Sequence, residues 1–219
     1  MQHDINGDIN FLKRRNVNID ITHRCPLECE RCQRFTSFTS HGLKVPGKDI
    51  SIENFQKVLN HFYHINFCGQ VSDPVHHPKF IEILSMIYDQ EKSCSVHHAS
   101  AAKPAKWYPK AYDANPNACW WFGIDGLPKD SHKHRKNQDG EHLFKMACIA
   151  AKMGLSVKWQ YLIFSYNEND IEEARQLAKD NNLILELQKS SRFWEGDPLK
   201  PKNKEYYIER KGYENKYKV

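Results

Sequence analysis

The sequence predicts an α/β fold, with parallel strands and helices alternating around a partial (β/α)6 TIM-like barrel. Three observations carry that expectation. Short runs rich in β-branched and aromatic residues recur along the chain, separated by stretches with helical apolar spacing. Six strand-then-helix units or their remnants fit between residues 17 and 188. Strands joined through helices run parallel, and right-handed crossovers then curl the sheet toward a barrel or part of one.

In order along the chain, residues 17–21 alternate apolar Val17, Ile19 and Ile21 with polar neighbours, as a strand does. Residues 51–62 put Ile52, Phe55, Val58, Leu59 and Phe62 on one helical stripe, with Ser51 suited to cap its start. Residues 65–69 read as a second strand, followed by a turn-rich passage and a helix starting near Pro78, a good first-turn residue. Residues 93–97 form a short third strand and 118–124 a buried aromatic fourth. A helix over 141–153 ends at Gly154, a suitable C-cap, and a fifth strand covers 157–164. Ile171, Ala174, Leu177 and Ala178 mark a helix over 170–179, and 183–187 is the last strand. Residues 34–49, with Gly42, Pro46 and Gly47, are expected to be a polar loop. One barrel domain, 17–189, is thus flanked by a polar N-terminal extension, 1–16, and a charged tail, 190–219, whose regular pattern is broken by Gly196, Pro198 and Pro201.

With 219 residues, 40% of them hydrophobic, the chain is long enough for one sizeable core. It has no apolar run of about 18 residues, and its first residues lack the apolar centre of a signal peptide, so a cytoplasmic protein is expected. The net charge of +5 permits an anionic partner without requiring one. Tyr206, Tyr207, Tyr213 and Tyr217 interleave with basic residues in a way that suits nucleic acid, though a solvated terminus explains them as well.

Seven cysteines is an odd number, and three are crowded into one loop: Cys25, Cys29 and Cys32, spaced CxxxCxxC just after the first strand. Such crowding suits metal binding in a reducing compartment better than a disulfide framework. Three thiolates can hold three irons of a cubane [4Fe-4S] cluster, and with no fourth cysteine nearby one iron stays open for chemistry. Cys68, Cys94, Cys119 and Cys148 fall in apolar stretches and read as packing residues. A second reading has Cys25, Cys29, Cys32 and either His23 or His41 around a structural zinc ion.

The CxxxCxxC loop at the end of a first strand, the stretch from Phe67 to Pro74 and the passage from Phe122 to Gly126 together resemble the radical S-adenosylmethionine (radical SAM) superfamily, over about residues 17–188. The resemblance implies that S-adenosylmethionine chelates the open iron. One electron from the cluster would then release a 5'-deoxyadenosyl radical, which takes hydrogen from a substrate. Gly69, Gln70, Ser72 and Asp73 stand where the family's Gly-Gly-Glu-Pro stretch holds the methionine amino group. Asp125 ends the fourth strand, and by analogy Arg135 pairs with the methionine carboxylate. His97, His98 and Ser100 could reach the ribose or the substrate. Arg31 replaces the family's usual aromatic beside the adenine, and a guanidinium can also stack on a flat ring. The resemblance further implies a reductant protein such as flavodoxin or ferredoxin. With no cysteine after Cys148, no auxiliary cluster is expected, and the substrate leans toward a nucleotide or small metabolite. A barrel that binds S-adenosylmethionine without turnover is a third reading.

Overall fold

The computed structural model describes residues 15–209. The N-terminal extension therefore lies almost wholly outside the described residues, as do Tyr213 and Tyr217. Six parallel strands form one sheet in chain order: β1 Asn16–Asn18, β2 His64–Phe67, β3 Ser93–His98, β4 Cys119–Gly123, β5 Ser156–Leu162 and β6 Ile184–Gln188. Because every strand pairs only with its sequence neighbours, each loop at a strand's carboxyl end falls on the same rim. This is the expected partial barrel.

The helices between the strands are α1 Gln33–Ser37, α2 Ile52–His61, α3 Phe80–Asp89, α4 Trp107–Ala114, α5 Gly140–Lys152 and α6 Ile171–Asp180. Ser51 caps α2 by accepting from the Asn54 amide, and Asp139 caps α5 by accepting from the His142 amide. Gly154 takes a φ of +86° just beyond α5, a conformation glycine adopts without penalty.

The structure departs from the sequence expectation in three places. β1 stops at Asn18, because the chain then bends so that Ile21 accepts from the Ile50 amide while only Ile19 still bonds to β2. α1 and a 3-10 turn over Thr39–His41 occupy part of the expected loop. The unexpected α4 reads WYPKAYDA and buries Tyr108, Ala111 and Tyr112.

Side chains along each strand alternate between two environments. Cys94 and Val96 of β3, Trp120 and Phe122 of β4, and Val157, Trp159 and Tyr161 of β5 are buried and belong with Phe80, Leu84, Tyr112 and Met146 to the core under the helices, and the polar His98 is buried in the same row of β3. Burying each large apolar side chain stabilises the fold by about 1.5–3 kcal/mol. The alternate row, including Ser95, His97, Trp121, Lys158, Gln160 and Gln188, is only half-buried and mostly polar. Closed barrels fill this interior with branched apolar side chains. Here His97 stacks on Trp121 with 5.0 Å between ring centres, and Lys158 lies 4.3 Å above the same indole while pairing with Glu186 at 2.8 Å.

Residues 190–209 do not project as a free tail. They cross the barrel mouth as a strap: Ser190 bridges to Tyr207, Phe193 packs edge-on against Phe164, and Arg192 donates to the Arg31 carbonyl at 2.8 Å.

Candidate functional site

A cavity of about 480 Å³ opens at the carboxyl ends of the strands. Cys25, Cys29 and Cys32 line it from the β1 side, Gly69 to Asp73 from β2, His97 and His98 from β3, Gly123 from β4, Gln160 from β5 and Gln188 to Arg192 from β6.

The cysteine loop is tethered on three sides. Arg34 Nη1 donates to the carbonyls of His23 at 2.6 Å and Val71 at 3.0 Å, and the Asp73 amide donates to the Arg24 carbonyl at 2.9 Å. On the other flank the Glu28 amide donates to the Lys136 carbonyl, and Lys136 pairs with Glu30. Such bonds fix the loop before any ligand arrives. Burial pushes the thiols of Cys25 and Cys29 up to about 12; the nearby Asp73 charge adds to this for Cys25, while Arg135 opposes it for Cys29. Binding a metal there releases protons.

The thiols of Cys25, Cys29 and Cys32 share one wall of the cavity, and a cubane takes each thiolate on its own iron; among the described residues no group of three Cys, His, Asp or Glu side chains is gathered around one point. Cys68, read as a packing residue, also lines this cavity, half-buried.

The loop after β2 turns at Gly69, whose φ is +59° and where a Cβ would sit 2.9 Å from the Ser72 carbonyl. That close approach excludes any side chain. Gln70 is exposed, and its carbonyl lies 4.0 Å from Cys32 Sγ; Ser72 donates to Asp20 at 2.6 Å. Asp73 reaches the cavity wall with both oxygens already engaged. It accepts from His98 Nδ1 at 3.0 Å, from the amides of Ala99 and Ser100 at 2.9 and 2.8 Å, and from that of Val75 at 3.3 Å. Burial alone would raise its pKa, but the paired His98 and these donors hold it well below the usual carboxylate range. His98 is likewise engaged at both nitrogens, its Nε2 lying 2.9 Å from the Tyr108 hydroxyl. Ser100 bonds to His76 instead of facing the cavity.

Asp125 is fully buried under the cavity floor. His134 Nδ1 and Arg135 Nε both lie 2.8 Å from its Oδ2, and the Leu162 amide donates to Oδ1 at 3.1 Å. Burial raises its pKa, and the Arg135 charge with the His134 bond more than reverses that. Asp125 thus aims Arg135, which does line the cavity. Gly123 lets it pass: a Cβ there would stand 2.8 Å from the guanidinium.

Arg31 lines the cavity with its guanidinium 4.1 Å above Trp194 and 2.9 Å from the buried Asp197. Arg31 is thus held between the strap's Trp194 and Asp197. His132 is exposed on the 3-10 turn Pro128–Lys133, while its neighbour His134 lines the cavity. Nothing in a polar HxHR run tells which histidine turns inward. Arg34, Gln160, Gln188 and Arg192 also line the cavity.

No family model and no curated protein matches the sequence. Several solved structures share the fold. Streptococcus suis SuiB bound to S-adenosylmethionine superposes with a TM-score of 0.62 at 12% identity, over 86% of this chain and 43% of that one. Native anSMEcpe with bound AdoMet gives 0.59 at 15% identity, over 78% and 51%, and methylornithine synthase (PylB) 0.56 at 14%, over 84% and 55%. The chain thus spans about half the length of these structures.

Proposed function

We propose that this chain, which shares its fold with the structures above, works as a radical SAM enzyme, with a [4Fe-4S] cluster on Cys25, Cys29 and Cys32. The observation that carries this reading is the union of those three thiols, the Gly69 turn and the Asp125-aimed Arg135 in one cavity at the strand ends. When bound, the reduced cluster and S-adenosylmethionine supply a single-electron cleavage of a carbon–sulfur bond and with it a hydrogen-abstracting adenosyl group.

The chain's own residues hold and orient. The carbonyls of the Gly69 to Ser72 turn offer acceptors for an ammonium group. The Asp73 carboxylate, saturated by protein donors, fixes that turn against the end of β3. Arg135, whose Nε and Nη2 are engaged by Asp125, offers its remaining Nη1 to a carboxylate as a charge-assisted donor. The strap covers the cysteine loop and keeps water from the reacting atoms. A small reductant protein supplies the electron.

The test is anaerobic reconstitution with iron and sulfide, then dithionite and S-adenosylmethionine without substrate, with 5'-deoxyadenosine measured. Slow formation of that product is the expected result. A cluster-loaded protein that binds S-adenosylmethionine but never cleaves it would be a binding barrel, and a colourless zinc protein would overturn the reading.

A further inference from the structure

The cavity's charges are unbalanced in a way the S-adenosylmethionine reading does not absorb. Five cations line it, Arg31, Arg34, Arg135, Lys189 and Arg192, against the carboxylate of Asp73 and the thiols of Cys25, Cys29 and Cys32, which turn anionic on binding a metal. Two are neutralised inside the protein, Arg31 by Asp197 and Arg135 by Asp125. Arg34 sits two residues beyond Cys32, on the side of the thiolates, and spends Nη1 on backbone carbonyls. Lys189 and Arg192 remain, both exposed at the cavity rim, and among the described residues neither pairs with a carboxylate; Glu195 is also exposed and Asp197 is committed to Arg31.

These two cations sit on a held turn. Ser190 accepts from the Arg192 amide at 3.0 Å through its hydroxyl and from the Ile208 amide at 2.9 Å through its carbonyl. Arg192 Nη1 is anchored on the Arg31 carbonyl, which leaves the rest of its guanidinium free. Between them, the Ser191 hydroxyl has no protein partner among the described residues, nor does the side-chain amide of Gln188 just below. Two uncompensated cations and a free hydroxyl on a rigid turn match a doubly charged tetrahedral anion, because charge-assisted bonds from separate donors are strong and directional. The polar row of Gln160, His97 and Gln188 leads from that turn into the barrel.

We propose that the segment Lys189–Ser190–Ser191–Arg192 is a phosphate-binding site, and that the substrate is a phosphorylated small molecule whose body lies along the polar row. What becomes of that molecule rests on the radical SAM reading. The anion site itself does not.

The test titrates inorganic pyrophosphate into the full-length protein by calorimetry, both as purified and after reconstitution, with succinate at matched ionic strength in parallel and iron content measured on every sample. Saturable pyrophosphate binding is expected in both samples. Lys189→Gln removes a side chain with no protein partner to lose, so its thermal midpoint should not move, while its pyrophosphate Kd rises roughly tenfold or more. Lys189→Arg should retain binding, and Lys110→Gln and Lys145→Gln, exposed on the outer helices, should leave it unchanged. An unaltered Kd in Lys189→Gln, an equal loss in the outer-helix variants, or succinate binding as tightly as pyrophosphate would overturn the proposal. Absence of iron with intact anion binding would instead sink the radical SAM reading alone.

Discussion

Asp125 and Arg135 form a buried ion pair, Oδ2 to Nε 2.8 Å, beneath the cavity floor, where the arginine is held by a carboxylate that never reaches the cavity itself. Removing one partner of a buried pair leaves an uncompensated charge. Asp125→Ala is therefore expected to cost about 3–5 kcal/mol in urea unfolding, and adding Arg135→Met should recover much of it. Equal stability of Asp125→Ala and wild type would mean that the pair is not desolvated.

Gly123 gives Arg135 its path. Gly123→Ala would bring a Cβ to 2.8 Å from a guanidinium that Asp125 prevents from retreating. The expected outcome is unchanged iron content with S-adenosylmethionine affinity weakened roughly tenfold, as for loss of one charge-assisted contact. Unchanged affinity would separate Arg135 from the cofactor.

Acid should unfold the protein through Asp73 and Asp125. Burial raises both pKa values, but His98 and backbone amides around Asp73, and Arg135 with His134 around Asp125, hold both below the ordinary range. Carboxylates so depressed contribute stability above the unfolded value of about 3.9, and that stability is lost as pH falls toward the folded value. The thermal midpoint should drop most steeply below about pH 4. Asp73→Asn should be less stable at pH 7 and flatter in acid; an unchanged acid slope would assign the effect elsewhere.

The four cysteines of the cavity should behave unequally. Cys29→Ala is expected to abolish cluster assembly, measured as iron, sulfide and visible absorbance per chain. Cys68→Ala should retain both the cluster and cleavage of S-adenosylmethionine, because the open iron is proposed for the cofactor. Loss of iron in Cys68→Ala would make Cys68 a fourth ligand.

Trp194 holds the strap on Arg31 at 4.1 Å. Trp194→Ala should release a contact of about 0.5–2 kcal/mol, speed amide exchange across residues 190–209 and hasten bleaching of a reconstituted cluster in air, while α5 exchanges as before. Unchanged strap exchange would show that Phe193 and Ser190 suffice.

The strands were legible because each carries a β-branched or aromatic row, and the longer helices because their stripes are regular. α4 was not, since Trp107, Tyr108 and Tyr112 bury an aromatic face that Pro109 and Lys110 interrupt. The cysteine loop, the Gly69 turn and Arg135 were readable as a motif in its place. The engagement of Asp73 and His98 with each other was not, because both were polar residues at strand ends and only the packing of the β2 loop against β3 decides where they point. The strap's anchoring ion pair was hidden for a different reason: Arg31 lies 166 positions away from Asp197, with no periodicity to announce the contact.

That separation in sequence sets an order of events during synthesis. The cysteine loop leaves the ribosome before the segment that covers it. Until then the three thiols would stand open to the proposed cluster's carrier. Once Trp194 and Asp197 dock on Arg31, a cluster delivered late would have to displace them, so on the proposed function the closing segment would separate the period of loading from the period of use.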